Sequence, residues 1–583
     1  EGKYKNIRMY TTIKNNQPDF GYNNTDLFIL PPPPSRNPWG DYAAGGWLLP
    51  DVGTYANKSC RSGLGDSGCT DPTHCCTRFD QPNDDWLYNS VDQFSATCWH
   101  FAEYLTDAME SSSNETAIPI GLITSAWGGT MIEHWQPNAT LNAGVCKNNS
   151  GGDYAPWQNK RWDYDSGGLY NGMVLPFVNM TIKGALWYQG ENNVFQCHDD
   201  GDEDQSKGGR KSGGGPFACG DIQASRGYAC MIRNLVNTWR KIWSIEPDTT
   251  PSNFPFGIVS LAGDTSEGHQ NNMGAFRYAQ SGNTGYLPNN EMPNTFLAQA
   301  YDAGDPCSGG GHCCVNGAGH GGWPCMAGEA PYTQQFMGGI HPRVKKVVGT
   351  RLAKAALAIV YDDEKEVWTG PVLKSCTFSS TDGITLKFDQ RLLKEDAIMV
   401  LDQTTKALSF ANDIDVPWDA HLLPLLQRLG PESPMEIQLN GQDMENMTDG
   451  IWIPVKLEPK CMPKGSDHPE PGTNGCNWNY TTSTRTEGWD EVHVRLGGLS
   501  YQLKKNITGI RYAWNNSPCC PSVNRMVMPC PPNSCPIQTF NTTMPAVPFW
   551  ATINDGKCDW ISTHNNFHVL RREKIEAAVA KKS

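Results

Sequence analysis

The chain has 583 residues, enough for two to four domains, with 47 basic and 61 acidic side chains and a formal net charge of −14. That balance excludes nucleic acid as the main partner, because no basic excess is available to neutralise phosphates. With 38% hydrophobic and 10% aromatic residues it is too apolar for a disordered chain, and it holds no run of about 18 apolar residues, so no membrane span is expected.

In chain order, the opening EGKYKNIRMY has neither an initiator Met nor a signal-peptide core and reads as a mature or processed product. The 94–109 stretch is apolar at helical spacing. A short buried strand is predicted over 118–123, another over 184–188 and a third over 256–261. Helices are predicted over 231–242 and 344–360. Strands alternating with helices predict an α/β fold, a parallel sheet with helices on both faces. The three strands are expected to be neighbours in one sheet, with 344–360 among the covering helices. Beyond residue 366, short alternating runs such as 383–388 and 491–496, punctuated by Pro, Gly and Asn, predict a β-rich, sandwich-like C-terminal domain. The expected division is 1–365, 366–563 and a charged tail, 564–583. Four stretches, near 57–78, 196–222, 304–331 and 457–480, have the Gly, Cys and Asp content of surface loops stapled by disulfides.

The 21 cysteines include the adjacent pairs Cys75-Cys76, Cys313-Cys314 and Cys519-Cys520. A reducing cytosol rarely supports this, and no pair of CxxC motifs at zinc-ribbon spacing occurs. Most are therefore expected in disulfides, with one thiol left over, and neither a metal nor a cofactor is called for. Eleven Asn-x-Ser/Thr sequons agree: Asn23, Asn57, Asn114, Asn138, Asn148, Asn179, Asn446, Asn479, Asn506, Asn515 and Asn541. Together they point to a secreted or lysosomal glycoprotein.

Three motifs are placed where chemistry is built, at the carboxyl ends of predicted strands or at a helix mouth. Ser125-Ala126-Trp127-Gly128-Gly129-Thr130 follows the 118–123 strand, and its glycines let backbone N–H groups approach a developing oxyanion. Trp187-Tyr188-Gln189-Gly190-Glu191-Asn192-Asn193 follows the 184–188 strand; Gln189 has an amide that can donate to an oxyanion, and Glu191 can orient a neighbour. Gly338-Gly339-Ile340-His341-Pro342-Arg343 precedes the last helix, and His341 in that loop suits a general base. Each has a plainer reading: a tight turn, a polar loop with a helix cap, one ordinary histidine among 13.

Together the motifs resemble the sialate O-acetylesterases of the SGNH hydrolase superfamily. The resemblance runs through Asn6-Ile7-Arg8-Met9, Phe94 to Trp99, the 119–130 segment, Leu186 to Asn193, Gly285 to Pro288, Met292 to Phe296, Ile340 to Arg343, Arg511 to Trp514 and Pro548-Phe549. It implies hydrolysis of acetyl esters on sialic acids by a nucleophilic serine. His341 would be the base, Gly128 or Gly129 an oxyanion-hole donor, Gln189 a second donor, and Glu191 a support for the loop or the histidine. The three segments are then expected around one pocket.

Two departures qualify this. The Gly-Gln-Ser-Asn-Met motif that carries the family's nucleophile occurs nowhere in the sequence, so the serine is expected from an upstream segment or a companion chain bearing a β-rich domain. Many SGNH enzymes place an Asp three residues before the histidine; here that position is Gly338, leaving Asp302 or Glu191 as candidate acids. Gly65-Asp66-Ser67 spells a nucleophile-like motif but has no strand before it, and neither Ser125 nor Ser266 has the required context. Two further readings stay open: a secreted structural or carbohydrate-binding glycoprotein that has lost catalysis, and an acetyl esterase acting on other polysaccharides.

Overall fold

The structure, a computed structural model, describes residues 4–12, 94–112, most of 118–140 together with Cys146, 167–195, 227–263, 272–303, most of 340–400, and shorter stretches between 434 and 563. The cysteine-rich stretches at 57–78, 196–222 and 304–331, nearly all of 457–480, and the 564–583 tail lie outside the described residues, as do Gly338, Gly339, Ser67 and Ser266.

The N-terminal part runs β1 (Ile7–Thr11), α1 (Ala96–Ser112), β2 (Ile120–Thr124), β3 (Ala185–Trp187), α2 (Glu191–Phe195), α3 (Gly227–Trp243), β4 (Phe256–Ser260), α4 (Asn272–Gln280), β5 (Thr295–Gln299) and α5 (Lys345–Val360). All five strands pair in parallel. The expectation of one sheet containing 118–123, 184–188 and 256–261 is corrected. β2 pairs with β1, with Ile7 opposite Ile120, while β3, β4 and β5 form a separate three-stranded sheet. The physical reason lies in the first residues. Ile7 and Met9 are buried and Arg8 is exposed, the alternation of a half-buried strand, and Asn6 accepts the amide of Ile120 through its carbonyl oxygen at 2.9 Å. β2 thereby finds its partner in β1.

Helix α5 ties the two sheets together. One side buries Val348, Leu352, Ala355 and Ala356 against Val259 of β4 and Phe296 and Ala298 of β5. The other packs Ala353 and Leu357 on Leu105 of α1. Gly349 permits the approach: a Cβ there would come within 2.7 Å of the Thr97 carbonyl oxygen and the His100 Cβ. Helix α3 owes its place to apolar residues every three or four positions, and Ile232, Leu235, Val236, Trp239, Ile242 and Trp243 are all buried.

The C-terminal part is β-rich, as expected. Its strands are β6 (Leu373–Ser379), β7 (Gly383–Phe388), β8 (Ile398–Val400), β9 (Met435–Leu439), β10 (Ile451–Pro454), β11 (Lys456–Leu457), β12 (Trp478–Asn479), β13 (Thr484–Arg485), β14 (Glu491–Arg495), β15 (Ile507–Tyr512), β16 (Ile537–Thr539), β17 (Phe549–Asn554) and β18 (Lys557–Ile561). Nine of them form one antiparallel sheet in the order β10-β9-β15-β17-β18-β6-β7-β14-β11 around a single core, in place of the two separate layers of a sandwich. The join is between β18 and β6. There Lys557 pairs with Thr377, and a disulfide links Cys376 to Cys558. Cys146–Cys230 and Cys519–Cys535 are also bonded, and Cys98 is the free cysteine among the described residues. These bonds fit an oxidising compartment. No helix among the described residues is long and apolar enough to cross a membrane.

The two parts meet tightly. Tyr301, beyond β5, donates its hydroxyl hydrogen to the Ala546 carbonyl, and the Tyr278 and Trp514 rings lie 5.4 Å apart. Gly274 of α4 touches the Trp514 backbone so closely that a Cβ would overlap the carbonyl oxygen. Gly274→Ala should therefore weaken the chain by about 1–3 kcal/mol, because backbone rather than a flexible side chain must move. Denaturant unfolding would measure it, and a change below about 0.5 kcal/mol would show that the contact is slack.

Candidate functional site

The polar segments after β2 and β3 are sewn to each other. Gln189 is buried and donates both hydrogens of its Nε2, to the Thr130 carbonyl at 3.0 Å and to Asn193 Oδ1 at 2.8 Å. Asn193 Oδ1 also accepts the amide of Ile132 at 3.0 Å, and Asn193 Nδ2 donates to Glu133 Oε2 at 3.0 Å. Asn192 donates to the Gly129 carbonyl. On the other side, Tyr228 of α3 donates its hydroxyl to Gln189 Oε1 at 2.9 Å and accepts the Trp187 indole N–H at 3.1 Å. Gln280 of α4 donates to the carbonyls of Gln189 and Val259 and accepts the amide of Leu261, so the ends of β3 and β4 are tied as well.

Local backbone explains the glycines. Gly129 has φ 77° and Gly190 φ 138°, conformations that L side chains rarely adopt, and a Cβ at Gly190 would lie 2.7 Å from the Phe276 ring. Gly128 is exposed in the turn, which leaves its backbone open to a ligand. Ser125 donates its hydroxyl to the Met173 carbonyl at 3.1 Å.

Helix α5, which follows the His341 turn, touches the same neighbourhood through Lys345. His341 is half-buried between the buried Ile340 and Pro342. One turn further on, Lys345 Nζ lies 3.4 Å from the Tyr188 hydroxyl and 4.6 Å from the centre of its ring, next in sequence to Gln189. Burial pushes the Tyr188 hydroxyl far above its usual pKa, with the Glu191 carboxylate adding to the shift. Glu191 opens α2 half-buried.

Asp302, one of the candidate acids, is engaged elsewhere. Both its oxygens are held by the Arg351 guanidinium at 2.6 Å, and both side chains are buried. This is a bidentate ion pair tying the end of β5 to α5. The residues missed from sequence are Glu133, Asn193 as a linker, Tyr228 and Lys345. The one local signal was an acidic residue, Glu133, in the apolar run Met131-Ile132-Glu133-His134-Trp135, all of it buried. Of the sequons whose side chains are described, Asn179, Asn506 and Asn541 are all exposed.

Fold and site together define an α/β protein whose polar cluster stands at the carboxyl ends of parallel strands. Residues 81–202 match the family described as carbohydrate esterase, sialic acid-specific acetylesterase. The sialate O-acetylesterase of Homo sapiens is 31% identical over 281 residues, 48% of this chain and 41% of that protein, and the one from Mus musculus is 27% identical over 357 residues, 57% and 54%. A crystal structure of a carbohydrate acetylesterase from Xanthomonas citri aligns with 94% of this chain and 73% of its own at 18% identity, with a TM-score of 0.45. The family match and the curated relatives bear out the resemblance read from the motifs: the chain is similar to the sialate O-acetylesterases. It spans about half the length of the curated relatives it matches.

Two measurements follow from the buried ionisable groups. Asp302→Asn should cost about 3–5 kcal/mol in denaturant unfolding, because it leaves the Arg351 charge buried without its partner. If that variant instead keeps its stability and shifts the pH–rate profile of ester hydrolysis, Asp302 is the acid. His134 is held neutral: burial lowers its pKa to about 4, and its Nδ1 accepts the Met131 amide at 2.9 Å, which requires an unprotonated nitrogen. Unfolded, it would titrate at about 6.5, so the unfolded state binds the extra proton between the two values. Stability should be unaffected above pH 6.5 and fall, by up to about 3 kcal/mol, as pH drops towards 4. His134→Gln should flatten that part of the profile, and an unchanged slope would remove the assignment.

Proposed function

We propose that this chain is part of a serine-type O-acetylesterase acting on acetylated sialic acids. His341 is the base, and Gly128 or Gly129 offers backbone N–H groups to the oxyanion. Gln189 and Glu191 belong to the same site. The carrying observation is that the Gly128-Gly129 turn and the Gln189–Asn193 segment, 60 residues apart, are locked by the Gln189–Thr130 and Asn193–Glu133 hydrogen bonds, with the α5 mouth leaning on Tyr188. The similarity to sialate O-acetylesterases supports the chemistry and the acetylated-sugar substrate.

The nucleophilic serine comes, in this reading, from an upstream segment or a separate companion chain. The chain divides near residue 365 into esterase and β-rich parts, in keeping with cores that are separate except where Tyr301 joins the β-rich core and Trp368 the α5 core. It is secreted or lysosomal and glycosylated, in keeping with the disulfides and the exposed sequons.

One observation favours the rival in which catalysis has been lost: both amide hydrogens of Gln189 are donated within the protein. Kinetics on the native material decide. Hydrolysis of O-acetylated sialic acid, assayed beside acetylated xylan and with a serine-directed inhibitor, should be inhibitor-sensitive. His341→Ala should lower kcat by about 10²- to 10⁴-fold. A denaturing gel before and after deglycosylation should show a second polypeptide or a longer one. Inactivity of the material with all its chains present would favour the binding glycoprotein, and preference for xylan would move the substrate.

A further inference from the structure

The hydrogen bonds around Gln189 run in one direction. An indole N–H can only donate, so the Tyr228 oxygen accepts from Trp187 at 3.1 Å and its hydroxyl hydrogen is left for Gln189, whose Oε1 lies at 2.9 Å and main-chain carbonyl at 3.2 Å. The Thr130 carbonyl can only accept, so the Gln189 atom facing it and Asn193 is Nε2, and the side-chain atom facing Tyr228 is the carbonyl oxygen. The Ile132 amide can only donate too, so Asn193 presents its oxygen to Gln189 and Ile132, and its own Nδ2 is turned to Glu133. Every link from Trp187 to Glu133 therefore donates the same way, and the chain ends on a carboxylate that is 2% exposed. A carboxylate has oxygens that only accept, so it is the terminus such a chain requires.

We infer that Glu133 is a positioning residue: as the terminal acceptor of this chain it fixes the amide of Asn193, and through it holds Gln189 with its NH₂ against the Gly129–Thr130 turn. Glu133 acts on the site at a distance of two side chains, and its own side chain is closed off from solvent. The consequence is that the two site segments share one geometry, set by a buried acidic group outside the three motifs. This rests on the esterase reading only for its kinetic consequence; the hydrogen-bond chain stands apart from it.

The test uses the full chain with Glu133→Leu, which removes the acceptor, and Glu133→Gln, which keeps an uncharged one of the same size. With tryptophan indole nitrogens labelled, the Trp187 N–H resonance, assigned by its loss in Trp187→Phe, should move in Glu133→Leu while that of Trp550 stays. Glu133→Gln should lie between Leu and wild type. Acetyl-ester kcat should fall roughly 10- to 100-fold in Glu133→Leu with KM unchanged, and Glu133→Gln should restore part of it. If the Leu variant fails to fold, the Gln variant carries the same two measurements at smaller amplitude. An unmoved Trp187 resonance in a folded variant overturns the proposal, as does equal loss of kcat in both variants. A wild-type chain that hydrolyses nothing counts against the esterase reading alone, since the resonance still decides the role of Glu133.

Discussion

The site depends on the demand of the Gln189 side chain, buried at the end of β3, for partners for every polar atom it carries. Buried amides left unpaired cost more than the bonds they make return, so each one fixes its surroundings. Gln189 recruits Thr130 from the turn after β2, Asn193 from α2 and Tyr228 from α3. Two segments distant in sequence, and the helix that follows directly, are located by one side chain. Gly190 next to it must be glycine because its backbone turns through φ 138° against Phe276.

A second constraint acts at the level of layers. Five parallel strands fall into two sheets among the described residues, and α5 joins them by packing α1 on one side and β4 and β5 on the other. The same helix carries Arg351 to Asp302 and Lys345 to Tyr188. Its register along the sheet therefore sets where the His341 turn stands relative to Gln189. A helix bearing both a buried ion pair and the Lys345–Tyr188 contact couples stability to the geometry around Gln189.

The β-rich part is more than an appendage. Trp514 and Pro548 come from it, and they pack against Gly274 and Gly285 so closely that neither position has room for a Cβ. Helix α4, which supplies Gln280 to the ends of β3 and β4, is thereby clamped from behind.

The sequence by itself determined the local matters. The periodicity of 94–109, 231–242 and 344–360 located three helices to within a few residues. The short apolar runs located β2, β3 and β4, because side-chain spacing is a property of neighbouring residues. The motifs located the turns after β2 and β3 because glycine and amide residues mark sharp backbone and polar demand. Tertiary structure alone decided which strand pairs with which, since β1 and β2 are separated by more than 100 residues and nothing local announces their register. It also decided that Asp302 belongs to Arg351, that one nine-stranded sheet replaces a sandwich where Lys557 meets Thr377, and that Glu133 ends a chain beginning at Trp187. Each of these is a contact between distant residues, and its energy exists only once the chain has brought both partners out of water.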